Sequence, residues 1–228
     1  MKRILFLLAV LFLYGSSTFA QGWEGTLEMS MKIPQLGDDP IPSTMNIKGN
    51  KVHAVMNIGA MGAMETYIDN DAKKLVQVMK AMNMGTEIDL SQNENKPAGE
   101  STEPLKPVAT GNKQVINGFN CDEYTCKVED IDMEMWMTKD IPAAIASSIQ
   151  NAMGGITRAS GTNTSAFDEL AKNGNIAIRT VFKQNGTVQL QTEIVKYESK
   201  TFPDSEFIVP SNINIQKMDP SMMGGAGQ

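Results

Sequence analysis

Histidine is nearly missing from this chain, with one residue, His53, among 228. One imidazole cannot complete a multi-histidine zinc set, and no serine or cysteine motif accompanies it for nucleophilic catalysis, so His53 reads as structural. Cysteine is scarce as well. Cys121 and Cys126 lie five positions apart, and on a straight strand they face opposite sides about 16 Å from each other, well beyond the roughly 7 Å that a disulfide spans. They pair only if the chain turns between them; otherwise Cys121 is a small buried side chain. The chain is long enough to fold without a disulfide framework. No run of apolar residues reaches the roughly 20 needed to cross a bilayer as a helix. Basic residues are the minority, 20 against 26 acidic ones, and this balance argues against nucleic acid as a partner, because phosphates need a basic surface. No group of residues matches a known catalytic or cofactor-binding chemistry, so the sequence predicts a non-enzyme without a cofactor.

What the chain does have begins with a basic start (Lys2, Arg3), an apolar run from Ile4 to Leu13, and Thr18-Phe19-Ala20 before Gln21. This is the pattern of a cleavable export signal over residues 1–20. Cleavage there removes Lys2 and Arg3, leaving 18 basic and 26 acidic residues, a net charge of −8. Gln21 would begin the mature chain, so the cysteine on which a bacterial lipid anchor is built is missing at that position. The expected location is periplasmic or secreted, in the cell envelope of a Gram-negative bacterium, soluble and not lipid-anchored.

Period-two alternation dominates the N-terminal half of the mature chain. Leu27, Met29, Met31 and Ile33 share one side of a strand, with Glu28, Ser30 and Lys32 on the other, as a half-buried strand demands. Gly49-Asn50, Asn117-Gly118 and Asn185-Gly186 sit between apolar runs and predict hairpins, and Asp69-Asn70-Asp71 predicts another turn. Residues 91–110 read as a long polar loop. Ile131, Met133, Met135 and Met137 alternate with Asp132, Glu134 and Trp136. The acidic residues Asp130, Asp132 and Glu134 read as a solvated outer face rather than a calcium or glycosidase site.

Helices are predicted only after this point. Asp140 caps one that carries Pro142 in its first turn and stops near Gly154-Gly155, and a second runs from Ser165 to Gly174. Strands return at Ile176 to Lys183 and Val188 to Tyr197, with an edge strand at Phe207 to Ile215. The expected organisation is one β-rich domain over residues 21–216, then a disordered tail over 217–228. The fold class is mainly β (α+β).

Methionine is unusually abundant, at 17 residues, 16 of them after the signal. Three readings are open: core packing, an adaptable apolar pocket, and a site for monovalent copper, for which thioethers are soft ligands.

Three short motifs carry a family resemblance: Ile116-x-Gly118-Phe119-x-Cys121-x-x-Tyr124, then Trp136-x-Thr138-x-Asp140-Ile141-Pro142, then Phe207-x-Val209-Pro210. Together they resemble the exported domain-of-unknown-function 4412 family and, more distantly, envelope proteins named after a G-L-P-G-L-I segment that this chain lacks. The resemblance implies an outline similar to the periplasmic carriers of the localization-of-lipoproteins system. In those, a curved antiparallel sheet, a half-barrel, wraps around one or two helices and encloses an apolar cavity. It implies no catalytic residues. Signal, alternation and resemblance together predict non-enzymatic binding or carriage of a hydrophobic small molecule such as a lipid. Met29, Met31, Met56, Met133, Met135 and Met137 are the expected lining. The alternatives are a methionine-rich copper(I)-binding protein and a structural or partner-binding envelope protein.

Overall fold

The computed structural model describes residues 22–37, 39–59, 62–93, 107–128, 130–159 and 174–218. The expected signal, the second helix apart from its stop at Gly174, residues 94–106 of the expected polar loop and all but the start of the expected tail lie outside these residues. The alternating segments form twelve strands: β1 (Glu24–Lys32), β2 (Ile41–Lys48), β3 (Lys51–Asn57), β4 (Ala63–Asp69), β5 (Lys74–Met79), β6 (Met84–Asp89), β7 (Val108–Ile116), β8 (Phe119–Val128), β9 (Ile131–Thr138), β10 (Ile176–Gln184), β11 (Thr187–Ser199) and β12 (Asn214–Lys217). One α-helix, α1 (Ala143–Ala159), is present among the described residues.

All twelve strands belong to one sheet, in the order β12-β6-β5-β4-β3-β2-β1-β11-β10-β9-β8-β7. Every pairing is antiparallel except β12 with β6. The sheet is curved and open, a half-barrel with β7 and β12 at its free edges. The tight turns come from the residues that favour them. Asn117 and Gly118 have φ of 50° and 86°, and Asn185 and Gly186 have 50° and 77°, the left-handed pairs that join strands through two residues.

Several boundaries differ from expectation. The polar loop ends earlier, because β7 already begins at Val108. Phe207 closes a 3-10 turn (Asp204–Phe207), and the edge strand comes later, at Asn214–Lys217. Helix α1 starts where expected, but Asp140 does not cap it. The Asp140 carboxylate accepts hydrogen bonds from Asn120 N (2.7 Å) and Asn120 Nδ2 (2.9 Å), while the carbonyl of Pro142 accepts the first helical bonds from Ile145 N and Ala146 N. The helix also continues through Gly154-Gly155 to Ala159. Each glycine costs a helix interior roughly 1 kcal/mol. Fully buried Ile149 and Ala152 in the preceding turns offset that, since burying an isoleucine contributes about 1.5 to 3 kcal/mol.

The helix packs on one face of the sheet, where Ile149 and Ala152 share one buried core with Leu27, Ile47, Ile68 and Leu75. It lies toward one end of the strands. Trp23 N, just before β1, donates to Ser148 Oγ (2.9 Å), and Asn70 Nδ2, in the β4–β5 turn, donates to the Asn151 carbonyl (3.4 Å).

The opposite face carries two smaller clusters. One holds Tyr67, Val76 and Val78 under Ile213, where the chain from Lys200 to Ile213 crosses the outside of the sheet as a strap before joining its edge as β12. The other holds Cys126, Met133, Met135 and Met137, with Tyr124 and Phe182 against them.

Candidate functional site: a methionine row on the inner face

Hairpin register lines up methionines from strands far apart in sequence. Met29 lies opposite Ser43, Ser43 opposite Met56, Met56 opposite Met64, Met64 opposite Met79, and Met79 opposite Met84. One row across β1 to β6 therefore reads Met-Ser-Met-Met-Met-Met, unbroken methionine from β3 to β6. Residues two apart on a strand share a face. Met56 is thus on the side of Val52 and Ala54, Met64 on the side of Ile68, and Met84 on the side of Ile88, which is the face that α1 packs against.

Along each strand the exposure rises away from the helix. On β5, Leu75 is 2% exposed, Gln77 is exposed and Met79 is 44% exposed; on β6 the sequence is Ile88 at 2%, half-buried Thr86, and Met84 at 44%. Met29, Met31, Met56 and Met64 are half-buried. The inner face is therefore dry beneath the helix and opens, toward the other end, onto a row of thioethers. Methionine has three rotatable bonds and a polarizable sulfur, so such a surface adapts to apolar shapes that a row of valines would reject.

The six expected lining residues separate. Met29 and Met56 belong to the row, and Met31 is next to it on β1, opposite Ile41 and Thr192. Met133, Met135 and Met137 do not join them. On β9 it is Trp136 that packs with the helix-side core, and the methionines point to the other face, at 5%, 1% and 4% exposure, with Cys126. The expectation that β1 and β9 present their odd-numbered residues to one shared wall is corrected accordingly. Asp130 and Asp132 are exposed as expected, with Lys127 lying 3.5 Å from Asp132, whereas Glu134 is half-buried and accepts from Lys183 (2.7 Å) and Trp136 Nε1 (3.0 Å). The bond from Lys183 is the largest influence holding the Glu134 carboxyl below its ordinary range. A groove of about 420 Å³ opens between these charges, with Cys126 and Met133 in its wall.

Met64, Met79 and Met84 are members of the row that sequence periodicity did not single out. The signal was present in the turns. The three connections are five, four and four residues long, and once the strand ends 57 and 63, 69 and 74, and 79 and 84 are paired across them the pairing of all residues behind follows, which puts 56 opposite 64, 64 opposite 79 and 79 opposite 84.

His53 lies on the outer face, in a mostly buried polar cluster. Its ring stacks on Tyr67, with centroids 4.4 Å apart at 9°. Nδ1 is 2.9 Å from Glu206 Oε1, and Nε2 is 3.5 Å from Glu65 Oε2. Glu65 also accepts from Tyr67 Oη (2.7 Å) and pairs with Lys80 (2.6 Å). Burial pushes the Glu65 carboxyl up, but the bonds from Lys80 and Tyr67 outweigh it and leave the group below its usual range. Burial, reinforced by the bond to Glu65, drives the Tyr67 phenol well above its usual value. His53 Nε2 is buried without a hydrogen-bond partner, while its Nδ1 and the carboxylates are held within the fold, and the cluster fastens the strap to the sheet. Among the described residues no three histidine, cysteine, aspartate or glutamate side chains are placed to hold a metal ion, and no helix is long and apolar enough to cross a membrane.

Fold and site together define a half-barrel whose inner face is plugged by a helix at one end and lined with thioethers at the other. The sequence pattern of a family described as a domain of unknown function, DUF4412, matches residues 23–213. The chain belongs to that family. No curated protein matches it. Among solved structures it is similar to PNGF-II in two crystal forms, at 14% identity and TM-scores of 0.45 and 0.42, covering 90% and 86% of this chain. The chain spans about a third of the length of PNGF-II, 32% and 31% in the two forms. It is also similar to a DUF1329 family protein from Desulfovibrio piger, at 8% identity and a TM-score of 0.33, covering 88% of this chain and 93% of that one.

Proposed function

We propose that this is a non-enzymatic, exported cell-envelope protein that binds or carries a hydrophobic ligand, such as a lipid acyl chain, against the uncovered part of its inner face. The observation that carries the reading is the exposure gradient. The face that is fully buried beneath α1 continues, without a change of side, into Met29, Met56, Met64, Met79 and Met84, which are half-buried or exposed. Leaving large apolar side chains in water forfeits roughly 1.5 to 3 kcal/mol each, and a contiguous apolar surface of this kind marks a place where something apolar docks. Met31 extends the surface along β1. Met133, Met135 and Met137 pack a second core on the opposite face and take no part in ligand contact.

Uptake of a fluorescent fatty acid by the purified protein, with mass spectrometry of its organic extracts, tests the proposal. The expected result is saturable uptake that drops at least tenfold when a charge is placed on the row by Met64→Lys, with co-purified lipid in the extracts. Repeated absence of lipid and of uptake contradicts it.

A further inference from the structure

We infer that Met64, Met79 and Met84 form a binding site for a monovalent soft cation, copper(I). The inference is independent of the hydrophobic-ligand reading. Register brings the three residues side by side on β4, β5 and β6 as direct cross-strand partners, with Met79 in the middle. Neighbouring strands are about 4.8 Å apart, so the two outer side chains need to lean only a few ångströms, within the reach of a three-bond thioether arm, to meet above Met79. Met79 and Met84 are each 44% exposed, so an ion reaches them without the core opening.

The donors decide the metal. Three neutral sulfurs suit copper(I) and are poor ligands for zinc, magnesium or calcium. Among the described residues no histidine, cysteine or carboxylate group is assembled to compete for it. Thioethers have no proton to lose, so copper enters by displacing only water or a carrier ligand, with no change in oxidation state. Affinity at this site therefore stays level between pH 6 and 8, whereas a site built on the thiol of Cys126, which burial keeps protonated, tightens as pH rises.

Anaerobic titration of the purified protein against the copper(I) complex of bicinchoninate tests this. The expected result is one copper(I) withdrawn per chain, with the same affinity at pH 6 and pH 8. Met79→Leu weakens it about tenfold, the triple variant Met64→Leu, Met79→Leu, Met84→Leu at least a hundredfold, and Cys126→Ser leaves it unchanged. Leucine keeps the volume and the apolar character, so the triple variant folds, and the titration, run with no fatty acid present, reports on this site whether or not the surface also binds a lipid. An intact bicinchoninate complex in the presence of wild-type protein overturns the inference. So does a Met79→Leu or triple-leucine protein that withdraws copper as well as the wild type, or an affinity that climbs with pH.

Discussion

Nδ1 of His53 lies 2.9 Å from Oε1 of Glu206, joining residues 153 positions apart in the chain. This contact ties the strap to the outer face of β3. Asn46 Nδ2 reaches the same oxygen at 2.8 Å. A few residues away, Lys48 donates to the Phe202 carbonyl (2.7 Å) and pairs with Asp204 (2.9 Å).

Stability should fall in acid through these carboxylates. Burial raises the Glu206 carboxyl, but the bonds from His53 and Asn46 hold it below the ordinary 4.5, as Lys80 and Tyr67 do for Glu65. A carboxyl lowered in the folded state stabilises the protein above the unfolded value, and the gain disappears as pH drops through the folded one. Thermal midpoints are therefore expected to be level from pH 7 to about 5 with respect to these groups and to fall below about 4.5. Glu206→Gln should melt lower than wild type at pH 7, with the gap closing toward pH 3. A gap that persists unchanged at pH 3 would show that the ionised carboxylate is not the source.

Gly85 makes room for the strap. A Cβ there would stand 2.5 Å from Ile215 Cδ1 and 3.1 Å from both Ile213 Cγ2 and the Gln77 carbonyl. Gly85→Ala is expected to cost about 1 to 3 kcal/mol, the usual range for overpacking, and to speed amide exchange across β12 more than across β1. Equal exchange in the two strands would contradict a local effect.

The two thiols are free and lie in different clusters, Cys121 under the helix and Cys126 on the other face. Burial, with a smaller contribution from the charge of Asp140, pushes the Cys121 thiol up to about 11, and burial raises Cys126 as well. Neither should react with a thiol reagent at pH 8 while the protein is folded, and both should react in guanidinium without prior reduction. Finding fewer than two thiols in the unfolded chain would mean a disulfide that this fold does not hold.

Strand and turn content was legible in the sequence because it is written locally. Leu27 to Ile33 alternates for a half-buried strand, and Asn117-Gly118 and Asn185-Gly186 name their own hairpins. Helix α1 was legible at its start and not at its end, because the buried side chains of Ile149 and Ala152 override the glycines. The site was only half legible. Alternation shows that Met133, Met135 and Met137 share a side but not which face of the sheet that side becomes, because this depends on Trp136 and Thr138 being claimed by the core under the helix. Met64, Met79 and Met84 each look ordinary on their own strands and become a row only through register. The His53 cluster could not be read at all, since it joins β3 to a strap near the other end of the chain.

Whether the thioether row holds an acyl chain is decided by photo-crosslinking with a diazirine-bearing fatty acid, followed by peptide mapping. Saturable adducts are expected on β1 to β6, concentrated around Met29, Met56, Met64, Met79 and Met84, and suppressed by excess unlabelled fatty acid. Adducts concentrated on Met133, Met135 and Met137, or labelling that competitor does not reduce, would contradict binding at the row.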